Sequence, residues 1–368
     1  MDNPTGPAGR TSFLMIGAGW RSPYFLAPAS KFGERFEVTG VVVRSSQRAA
    51  EVEARWGLTT FTSLDAALAA RRPDFAVVAV PWSATPEYIR DLVAADIPVL
   101  AETPPAPDLP ALRQLWRDVG GAQLVQVAEQ YHLYPGHQAR AEVIRSGRIG
   151  RANEVQLTSS HQYHMTSLMR FYLDTGFEPA AVTGFESVGP LANPIDPDGW
   201  RDDTAEVPIK TTQAHIAFAS GKTAMYDFTE NQWWNPLRVD RALIRGSRGE
   251  ISDDRVTSLH DARTVVTTRL ERWQTGLEMN LEGFDLGHIS LGDQILYRNR
   301  WQGGRLADDE IAAAEILEAT GDWARQGCGP GGPYPLAQGC QDHALALAID
   351  QSIAEGRPVQ VGEMPWAQ

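Results

Sequence analysis

Short apolar runs alternate with amphipathic segments along the first part of the chain. The run at 13–16 (FLMI) leads into a glycine-containing turn and a segment that predicts a helix from about Pro23. The run at 75–80 (FAVVAV) is apolar at every position, which is typical of a parallel strand buried on both faces of a sheet. The alternation of strands and helices up to residue 127 predicts a doubly wound parallel sheet. The predicted strands are 13–16, 37–43, 75–80, 98–101 and 123–127, with a short one near Thr60, and the helices between them are 47–56, 64–70, 86–95 and 108–119.

The pattern changes after about Glu129. A helix at 136–146 is followed by strand-like segments with few helices between them, and helices return at 309–324 and 342–355. This succession predicts an α+β domain with a large, mostly antiparallel open sheet, so the fold class is α/β with a second, α+β domain. One face of that sheet must be covered by helices or by another subunit. The strand-like segments are 154–159, 181–187, 211–219, 222–229, 241–245 and 265–269.

The length of 368 residues exceeds what one hydrophobic core usually serves. We expect a flexible tail at 1–11, a Rossmann domain at 12–130 and an α+β domain at 131–368. The chain is 43% hydrophobic, without a run long enough to span a membrane, and it begins without an apolar leader. Its two cysteines suggest a reduced, cytoplasmic setting, and its net charge of -13 opposes nucleic-acid binding. Neither nucleic acid nor membrane is a predicted partner.

The turn after the first strand has the sequence GAGWRS. Gly17 permits a tight turn, and Gly19 lets a phosphate approach the backbone at the N-terminus of the following helix. Ser22 stands where the dinucleotide-binding pattern GxGxxG has its third glycine. Because the turn directly follows the first apolar strand of an alternating α/β pattern, it predicts a dinucleotide site.

The end of the second strand predicts which dinucleotide binds. NAD-binding domains place an acidic residue there for the ribose hydroxyls, whereas this chain has Arg44, Ser45 and Arg48. Arginine beside small hydroxyl residues suits a 2′-phosphate, which favours NADP over NAD. The alternative interpretation is that both arginines are ordinary solvated charges.

Several segments, in order, resemble the Gfo/Idh/MocA family of oxidoreductases. They are FLMIGAGWRS, residues 73–106, VAEQYHLYP, VIRSGRIGRANEVQ and IAEGRPVQV. The resemblance implies a Rossmann domain followed by a domain with an open sheet that often mediates oligomer contacts, hence a homodimer or homotetramer. It also implies a small polar substrate, such as a sugar, an inositol or a related polyol. Residues of these segments complete the predicted cofactor site: Trp20, Arg21, Val80, Pro81 and Glu102.

The family's catalytic lysine lies in a Glu-Lys-Pro motif, which this chain replaces with Glu102, Thr103 and Pro104. Threonine supplies neither an ammonium group nor a tunable amine, so the usual proton transfer does not carry over. Thr103 stays a candidate as a hydrogen-bonding group. Lys210 is a possible substitute for the missing lysine.

The family's second motif, Asp-x-x-x-His at the start of a helix, resembles SHQYHMTSLMRFYL. His164 matches the histidine, Ser160 replaces the aspartate and Arg170 matches a following arginine. Imidazole titrates near neutral pH, so His164 is the leading acid or base, with Tyr131 as a second polar group on the same substrate oxygen. The alternative for His164 is a buried structural histidine. His161 is a further catalytic candidate, and although the HxxH pair could bind a metal, no third ligand is evident and no metal is predicted.

Aromatic residues at 226–234 (YDFTENQWW) could stack on a sugar ring, with Glu230, Asn231 and Gln232 as hydrogen-bonding groups, or could equally serve a core or an interface. Three functions follow. The first is an NAD(P)-dependent oxidoreductase that interconverts an alcohol and a carbonyl on a sugar-like or cyclitol-like substrate. The second is elimination or glycoside hydrolysis with a recycled dinucleotide. The third is a dinucleotide-binding sensor or regulatory subunit without catalysis.

Overall fold

A computed structural model of the chain describes residues 9–367. The chain forms two compact units. The first runs through Pro135 and also contains residues 274–287 and 299–340, and the second contains residues 136–273, 288–298 and those from 341 onwards. Residues 1–8 of the predicted tail lie outside the described residues.

The first unit is built on a parallel sheet with strand order β3-β2-β1-β4-β5-β6. This is the order of a Rossmann fold. Strand β4 is buried at every position, as its apolar sequence predicts. The predicted doubly wound parallel sheet is therefore confirmed. The strands are β1 (Thr11–Ile16), β2 (Phe36–Val42), β3 (Thr60–Phe61), β4 (Phe75–Val78), β5 (Val99–Ala101) and β6 (Val125–Val127).

Helix starts in the first unit follow from local chemistry. Ser45, Ser63 and Asp108 each accept a hydrogen bond from the backbone N–H three residues later, which caps the helix that follows. The helices of the described chain are α1 (Ser22–Lys31), α2 (Ser46–Trp56), α3 (Leu64–Ala70), α4 (Thr85–Ala94), α5 (Leu109–Val119), α6 (Pro135–Arg145), α7 (Gln162–Leu173), α8 (Asp308–Arg325) and α9 (Leu336–Glu355).

Helix α8 belongs to the first unit, although the boundary drawn from the sequence assigns everything after residue 130 to the second domain. The helix buries Ile311, Ile316 and Leu317 and contacts α1 and β1. Its amphipathic pattern predicts a buried face but does not identify the core that this face covers. The first unit is therefore built from segments that are separated from one another in the sequence.

The second unit is built on a mixed, mostly antiparallel sheet with strand order β18-β17-β16-β15-β14-β13-β7-β12-β11-β8-β19. Within it, β7 pairs with β12 in parallel. This confirms the predicted second sheet. Its strands are β7 (Ala152–Leu157), β8 (Ala180–Ala192), β11 (Glu206–Phe218), β12 (Thr223–Thr229), β13 (Ala242–Gly246), β14 (Gly249–Ser252), β15 (Arg255–Asp261), β16 (Thr264–Thr275), β17 (Asp285–Leu291), β18 (Gln294–Arg298) and β19 (Val359–Val361), and a separate ribbon pairs β9 (Ile195–Asp196) with β10 (Gly199–Trp200).

Helices cover one face of the second sheet. Helix α7 contacts β7 and β12, and α9 approaches β8 closely enough that a Cβ on Gly184 would lie 2.6 Å from the carbonyl oxygen of Ile349. Along β12, Tyr226 and Phe228 are buried, whereas the alternating Met225 is exposed. Among residues 9–367, no helix is both long enough and apolar enough to cross a membrane.

Candidate functional site

The turn after β1 has the geometry that a dinucleotide needs. Gly17 has a φ of 97°, and a Cβ there would lie 2.2 Å from the carbonyl oxygen of Ala79, so only glycine fits. Gly19 is exposed, and a Cβ on it would meet no heavy atom within 4 Å. The first turn of α1 contains no acidic residue. The open backbone at Gly19 and the positive end of the helix dipole together suit a pyrophosphate.

Two further predicted cofactor residues lie at the end of β4. The Val80 side chain lies beside Gly17: a Cβ atom added at Gly17 would lie 3.2 Å from Val80 Cγ1. The Pro81 carbonyl accepts hydrogen bonds at the start of α4. On the turn itself, the Trp20 side chain is 77% exposed; its ring forms a T-shaped pair with Tyr24 and lies 5.4 Å from the Arg21 guanidinium. The indole is therefore accessible to a bound molecule.

The predicted phosphate-binding residues after β2 differ in their availability. Ser45 caps α2 through its hydroxyl oxygen. Arg48 donates to Glu51 at 2.5 Å on the exposed face of the same helix. Arg44 is exposed, and it makes no hydrogen bond or ion pair with another residue in the described range. Arg44 is thus the basic group at this strand end that remains available to an anion.

Arg21 is held by two carboxylates. Its Nε donates to Glu102 Oε1 at 2.6 Å and its Nη1 donates to Asp309 Oδ2 at 3.3 Å. Its guanidinium also lies 4.4 Å from the centre of the Tyr24 ring. Since its charge is paired within the first unit, Arg21 anchors the glycine turn to the end of β5 and to α8.

Glu102 and Thr103 form a second pair at the same strand end. Glu102 Oε2 accepts a hydrogen bond from the Thr103 backbone at 2.8 Å and from its hydroxyl at 3.2 Å. Glu102 is buried and Thr103 is half-buried. The hydroxyl oxygen of Thr103 can still accept a further hydrogen bond, because its proton points to Glu102.

A buried carboxyl lies near this network. Glu129 is 1% exposed and accepts a hydrogen bond from the Tyr131 backbone at 3.0 Å. Burial raises the pKa of Glu129 well above its usual range, and the negative charges of Glu102 and Asp309 raise it further. The Tyr131 ring stacks on Tyr134 with centroids 4.7 Å apart.

Asp309 connects the two parts of the network. Gln130 donates to it at 3.1 Å, and the Tyr134 side chain also hydrogen-bonds to it. The structure thus brings together Arg21, Glu102, Thr103 and Tyr131 of the sequence prediction. It adds Asp309, Glu129, Gln130 and Tyr134, which sequence reasoning did not single out. Three of these four lie in the segment VAEQYHLYP, whereas Asp309 resembles an ordinary acidic residue at a helix start.

The histidine candidates of the second unit lie at the start of α7. His161 is the residue before the helix, and its carbonyl accepts the hydrogen bond from Met165. His164, in the first turn, is 8% exposed. Its ring lies 4.4 Å from that of Tyr163. The structure therefore brings His161, Tyr163 and His164 together at one helix end.

Aromatic rings surround His161. The Trp233 ring meets it edge-on at a centroid distance of 4.1 Å, and the Phe228 ring lies 5.9 Å away. The pKa of His161 is lowered to about 4, mainly by burial and secondly by the charge of His164. His161 is therefore uncharged at neutral pH. Trp233 stays 45% exposed, so this cluster presents an accessible indole beside a neutral imidazole.

Other polar residues of this region serve the fold. Buried Arg170 forms an ion pair with Asp342, and it donates to the Gly176 carbonyl at 2.9 Å. The Ser160 carbonyl accepts the hydrogen bond of the Tyr226 hydroxyl at 3.1 Å. These contacts attach α7 to α9 and to β12 and thereby fix the histidines.

The structure gives Lys210 and Gln232 partners of their own. Lys210 Nζ lies 3.2 Å from Glu230 and 3.5 Å from Glu186, and the hydrogen bond that Lys210 donates to Glu230 raises the pKa of Lys210. An amine with a raised pKa is a poor base at neutral pH. Gln232 is 7% exposed and hydrogen-bonds to Thr158 and Asp240. Neither residue is thus freely available to a ligand. Within the described part of the chain, no group of three or more histidine, cysteine or acidic side chains is placed to hold a metal ion.

Comparison with known protein families identifies the first domain. Residues 11–129 match the family described as an oxidoreductase family with an NAD-binding Rossmann fold, Gfo/Idh/MocA. The match covers about a third of the chain, the part that forms the Rossmann domain. This confirms the resemblance drawn from the sequence. A search among curated proteins finds no match to the sequence.

Solved structures share the fold over nearly the whole chain. A levoglucosan dehydrogenase in complex with NADH and levoglucosan is 17% identical, with a TM-score of 0.68, over 96% of this chain and 100% of the other. An oxidoreductase from Agrobacterium radiobacter in complex with NAD+, L-tartaric acid and magnesium is 16% identical, with a TM-score of 0.68, over 95% and 98%. A myo-inositol dehydrogenase from Corynebacterium glutamicum ATCC 13032 is 16% identical, with a TM-score of 0.64, over 96% and 100%. At these identities the likeness concerns the fold.

Within the residues that match the family, the Glu-Thr-Pro sequence follows the end of β5. Glu102 is anchored by Arg21 there, and Thr103 stands where the family motif has lysine. This difference from the family motif therefore places the Thr103 hydroxyl, hydrogen-bonded to the Glu102 carboxylate, where the family has an ammonium group.

Proposed function

We propose that this protein is an NAD(P)-dependent oxidoreductase that interconverts an alcohol and a carbonyl group on a sugar-like or cyclitol-like substrate. The observation that carries the proposal is the turn at Gly17 and Gly19, with open space over Gly19 and no acidic residue in the first turn of α1, in a domain of an NAD-binding oxidoreductase family. The bound nicotinamide supplies hydride transfer.

Side chains of the protein accept or donate the proton of the substrate hydroxyl. His164 acts as base in oxidation and as acid in reduction, and the Thr103 hydroxyl serves as a hydrogen-bonding group. Because Thr103 already donates to Glu102, its oxygen is oriented as an acceptor. The half-buried Tyr131 contributes a further polar hydroxyl. His161, with a pKa lowered to about 4 by burial, orients the substrate as a neutral group.

The substrate class is supported by the aromatic cluster. Trp233 offers an accessible face beside His161, and aromatic faces stack on the C–H surfaces of sugar rings. A levoglucosan dehydrogenase and a myo-inositol dehydrogenase are among the proteins with this fold. Both facts favour a cyclic polyol.

The dinucleotide that we propose is NADP. Arg44 is exposed and unpaired within residues 9–367, and residues 43–48 contain no carboxylate for the ribose hydroxyls of NAD.

The first experiment is a titration of the full chain with NADPH and with NADH, followed by nicotinamide fluorescence. Binding is then followed by a turnover screen on polyols and their ketones. We expect His164→Gln to lower kcat by at least about a hundredfold while cofactor affinity is unchanged. Arg145→Gln, an exposed change on α6, is the control. Failure of both nucleotides to bind refutes the proposal, and full turnover by the His164 variant refutes the assigned base.

A second candidate function has one specific observation in its favour. The hydroxyl of Thr103 is paired with Glu102 where the family has lysine, which suits a dinucleotide-binding sensor or regulatory subunit. Tight cofactor binding without turnover on the whole panel would favour it. Product formation without net reduction of the dinucleotide would instead favour elimination or hydrolysis with a recycled cofactor.

We also propose that the protein is a homodimer or homotetramer. The helix-free face of the second sheet exposes Phe185 and Met225, which a second copy would bury. Light scattering at micromolar concentration tests this, and a monomeric mass contradicts it.

A further inference from the structure

Two exposed tryptophans stand on neighbouring loops of the first unit. Trp20 lies on the turn after β1, and Trp82, which is 47% exposed, lies on the turn after β4. Each is the fourth residue beyond the end of its strand, and the last residues of these two strands, Ile16 and Val78, are register partners in the parallel sheet. Both indoles are therefore carried at the carboxyl edge of the sheet, on loops that leave adjacent strands.

The backbones of these two loops pack against each other. The Ala79 N–H donates to the Ile16 carbonyl at 2.9 Å, and a Cβ added at Gly17 would overlap the carbonyl oxygen of Ala79. In the order β3-β2-β1-β4-β5-β6 the direction of winding reverses between β1 and β4, which makes this the topological switch point of the sheet. Dinucleotides bind in the crevice outside the strand ends at that point.

The remaining tryptophans of the first unit are shielded from water. Within residues 9–367 this unit contains four others, all buried or half-buried: Trp56, Trp116, Trp301 and Trp323. Single exposed apolar rings scattered over a surface need no explanation. Here the two exposed indoles instead stand together at the mouth of one crevice, which is the arrangement of a contact surface for a ligand.

The strand order assigns the two indoles to one half of the dinucleotide. In the proposed site the adenosine 2′-phosphate lies near Arg44 at the end of β2, and the pyrophosphate lies at Gly19 after β1. Strand β4 lies on the side of β1 away from β2. A dinucleotide that passes from β2 over β1 therefore reaches the loop of Trp82 with its nicotinamide half.

We propose that Trp20 and Trp82 bind the nicotinamide half of the dinucleotide and favour its oxidised form. This rests on the proposed function, because it requires a dinucleotide at the glycine turn. Hydride is exchanged at one face of the nicotinamide ring, so the other face is available to stack on an indole. Oxidised nicotinamide is a pyridinium cation, whereas reduced nicotinamide is neutral. The negative face of an indole attracts the cation, which strengthens the stacking for the oxidised form alone.

Calorimetric titration of the full chain with the oxidised and reduced forms of NADP and NAD tests the proposal. Trp20→Ala and Trp82→Ala should each weaken binding of the oxidised form about tenfold and of the reduced form only about threefold. The corresponding phenylalanine variants should recover part of the affinity, because a phenyl ring retains the stacking. Trp200→Ala is the matched control: Trp200 belongs to the second unit, is as exposed as Trp20 and should leave every affinity unchanged.

A fragment without nicotinamide locates the contact along the dinucleotide. 2′-Phospho-ADP-ribose keeps the adenosine phosphate and the pyrophosphate, so the wild type and both alanine variants should bind it equally well. If the alanine variants weaken this fragment and NADP+ by the same factor, the indoles contact the adenine half and the assignment to nicotinamide is wrong.

The remaining outcomes separate this proposal from the proposed function. If the wild type binds none of the four nucleotides, both are overturned. If the wild type binds them and both alanine variants bind with unchanged affinity, only the role of the indoles is overturned. An equal loss for the oxidised and reduced forms would contradict the preference for the oxidised form.

Discussion

Arg21 Nε lies 2.6 Å from Glu102 Oε1, in a contact that joins the turn after β1 to the end of β5. The residues are far apart in the sequence, and each belongs to a different part of the predicted cofactor site. Their ion pair is largely shielded from water, with side-chain exposures of 15% and 10%. The geometry of the glycine turn therefore depends on a charge that follows the carboxyl end of another strand, β5.

Removing the charge of Arg21 should destabilise the first unit. Arg21→Met leaves Glu102 and Asp309 beside Glu129 without a counter-charge, and breaking a buried ion pair costs about 3 kcal/mol. Urea unfolding measures this. Arg90→Met, which breaks the more exposed pair with Asp118, is the control and should cost far less. Equal losses for both variants would contradict the anchoring role.

The two glycines of the turn should respond differently to alanine. Gly17→Ala forces a Cβ against the carbonyl oxygen of Ala79 and should lower the unfolding temperature. Gly19→Ala meets no protein atom, so the fold should keep its stability. The new methyl group nevertheless occupies the space needed by a pyrophosphate, and NADH and NADPH affinity should fall at least about tenfold. Fluorescence titration together with thermal unfolding separates the effects, and unchanged affinity in Gly19→Ala would place the dinucleotide elsewhere.

Arg44 should determine the cofactor preference. Arg44→Ala removes the guanidinium that we assign to the 2′-phosphate, so NADPH affinity should fall about tenfold while NADH affinity changes little. Arg48→Ala is the matched control, because Arg48 is already bound to Glu51. Parallel titrations with both nucleotides measure the difference, and an equal loss for NADH and NADPH would exclude a role in distinguishing them.

Glu129 should make stability depend on pH. Its pKa is raised by burial above the ordinary 4.5, so folding favours the protonated form. The stabilising contribution is complete below the unfolded pKa and is lost as pH rises through the folded pKa. Glu129→Gln removes this titration. The free energy of unfolding of the variant, relative to that of the wild type, should therefore increase as the pH rises from about 5 to about 8.

Urea unfolding at both pH values measures the difference in stability, with the exposed Glu87→Gln as control. A constant difference between Glu129→Gln and the wild type across that range would show that Glu129 does not titrate on unfolding.

Much of the fold could be predicted because its signals are local. Alternation, glycine turns and helix caps such as Ser45 and Asp108 act over a few residues, and the Rossmann strands lie where the pattern predicts them. The sequence pattern does not predict strands β14, β15 and β18. Their side chains are largely polar or exposed, so pairing with neighbouring strands stabilises them more than any apolar alternation does.

The candidate site was only partly predictable for a related reason. Gly17 and Gly19 could be predicted from their own backbone requirements. The partner of Arg21 at Asp309 is distant in the sequence and belongs to a helix start where an aspartate is common. Lys210 looked available because Glu186 and Glu230, which pair with it, become neighbours only when the strands assemble.

The place of α8 in the first unit also bears on how the protein is made. The helix that contacts α1 and β1 and carries Asp309 follows the Rossmann strands only after the long second-unit segment 136–273. During translation the Rossmann strands emerge long before this helix, so the apolar surface that it covers stays exposed until residues 308–325 have been synthesised. A fragment that stops at residue 130 would keep that surface permanently open and, we infer, would need a chaperone or a longer chain to remain in solution.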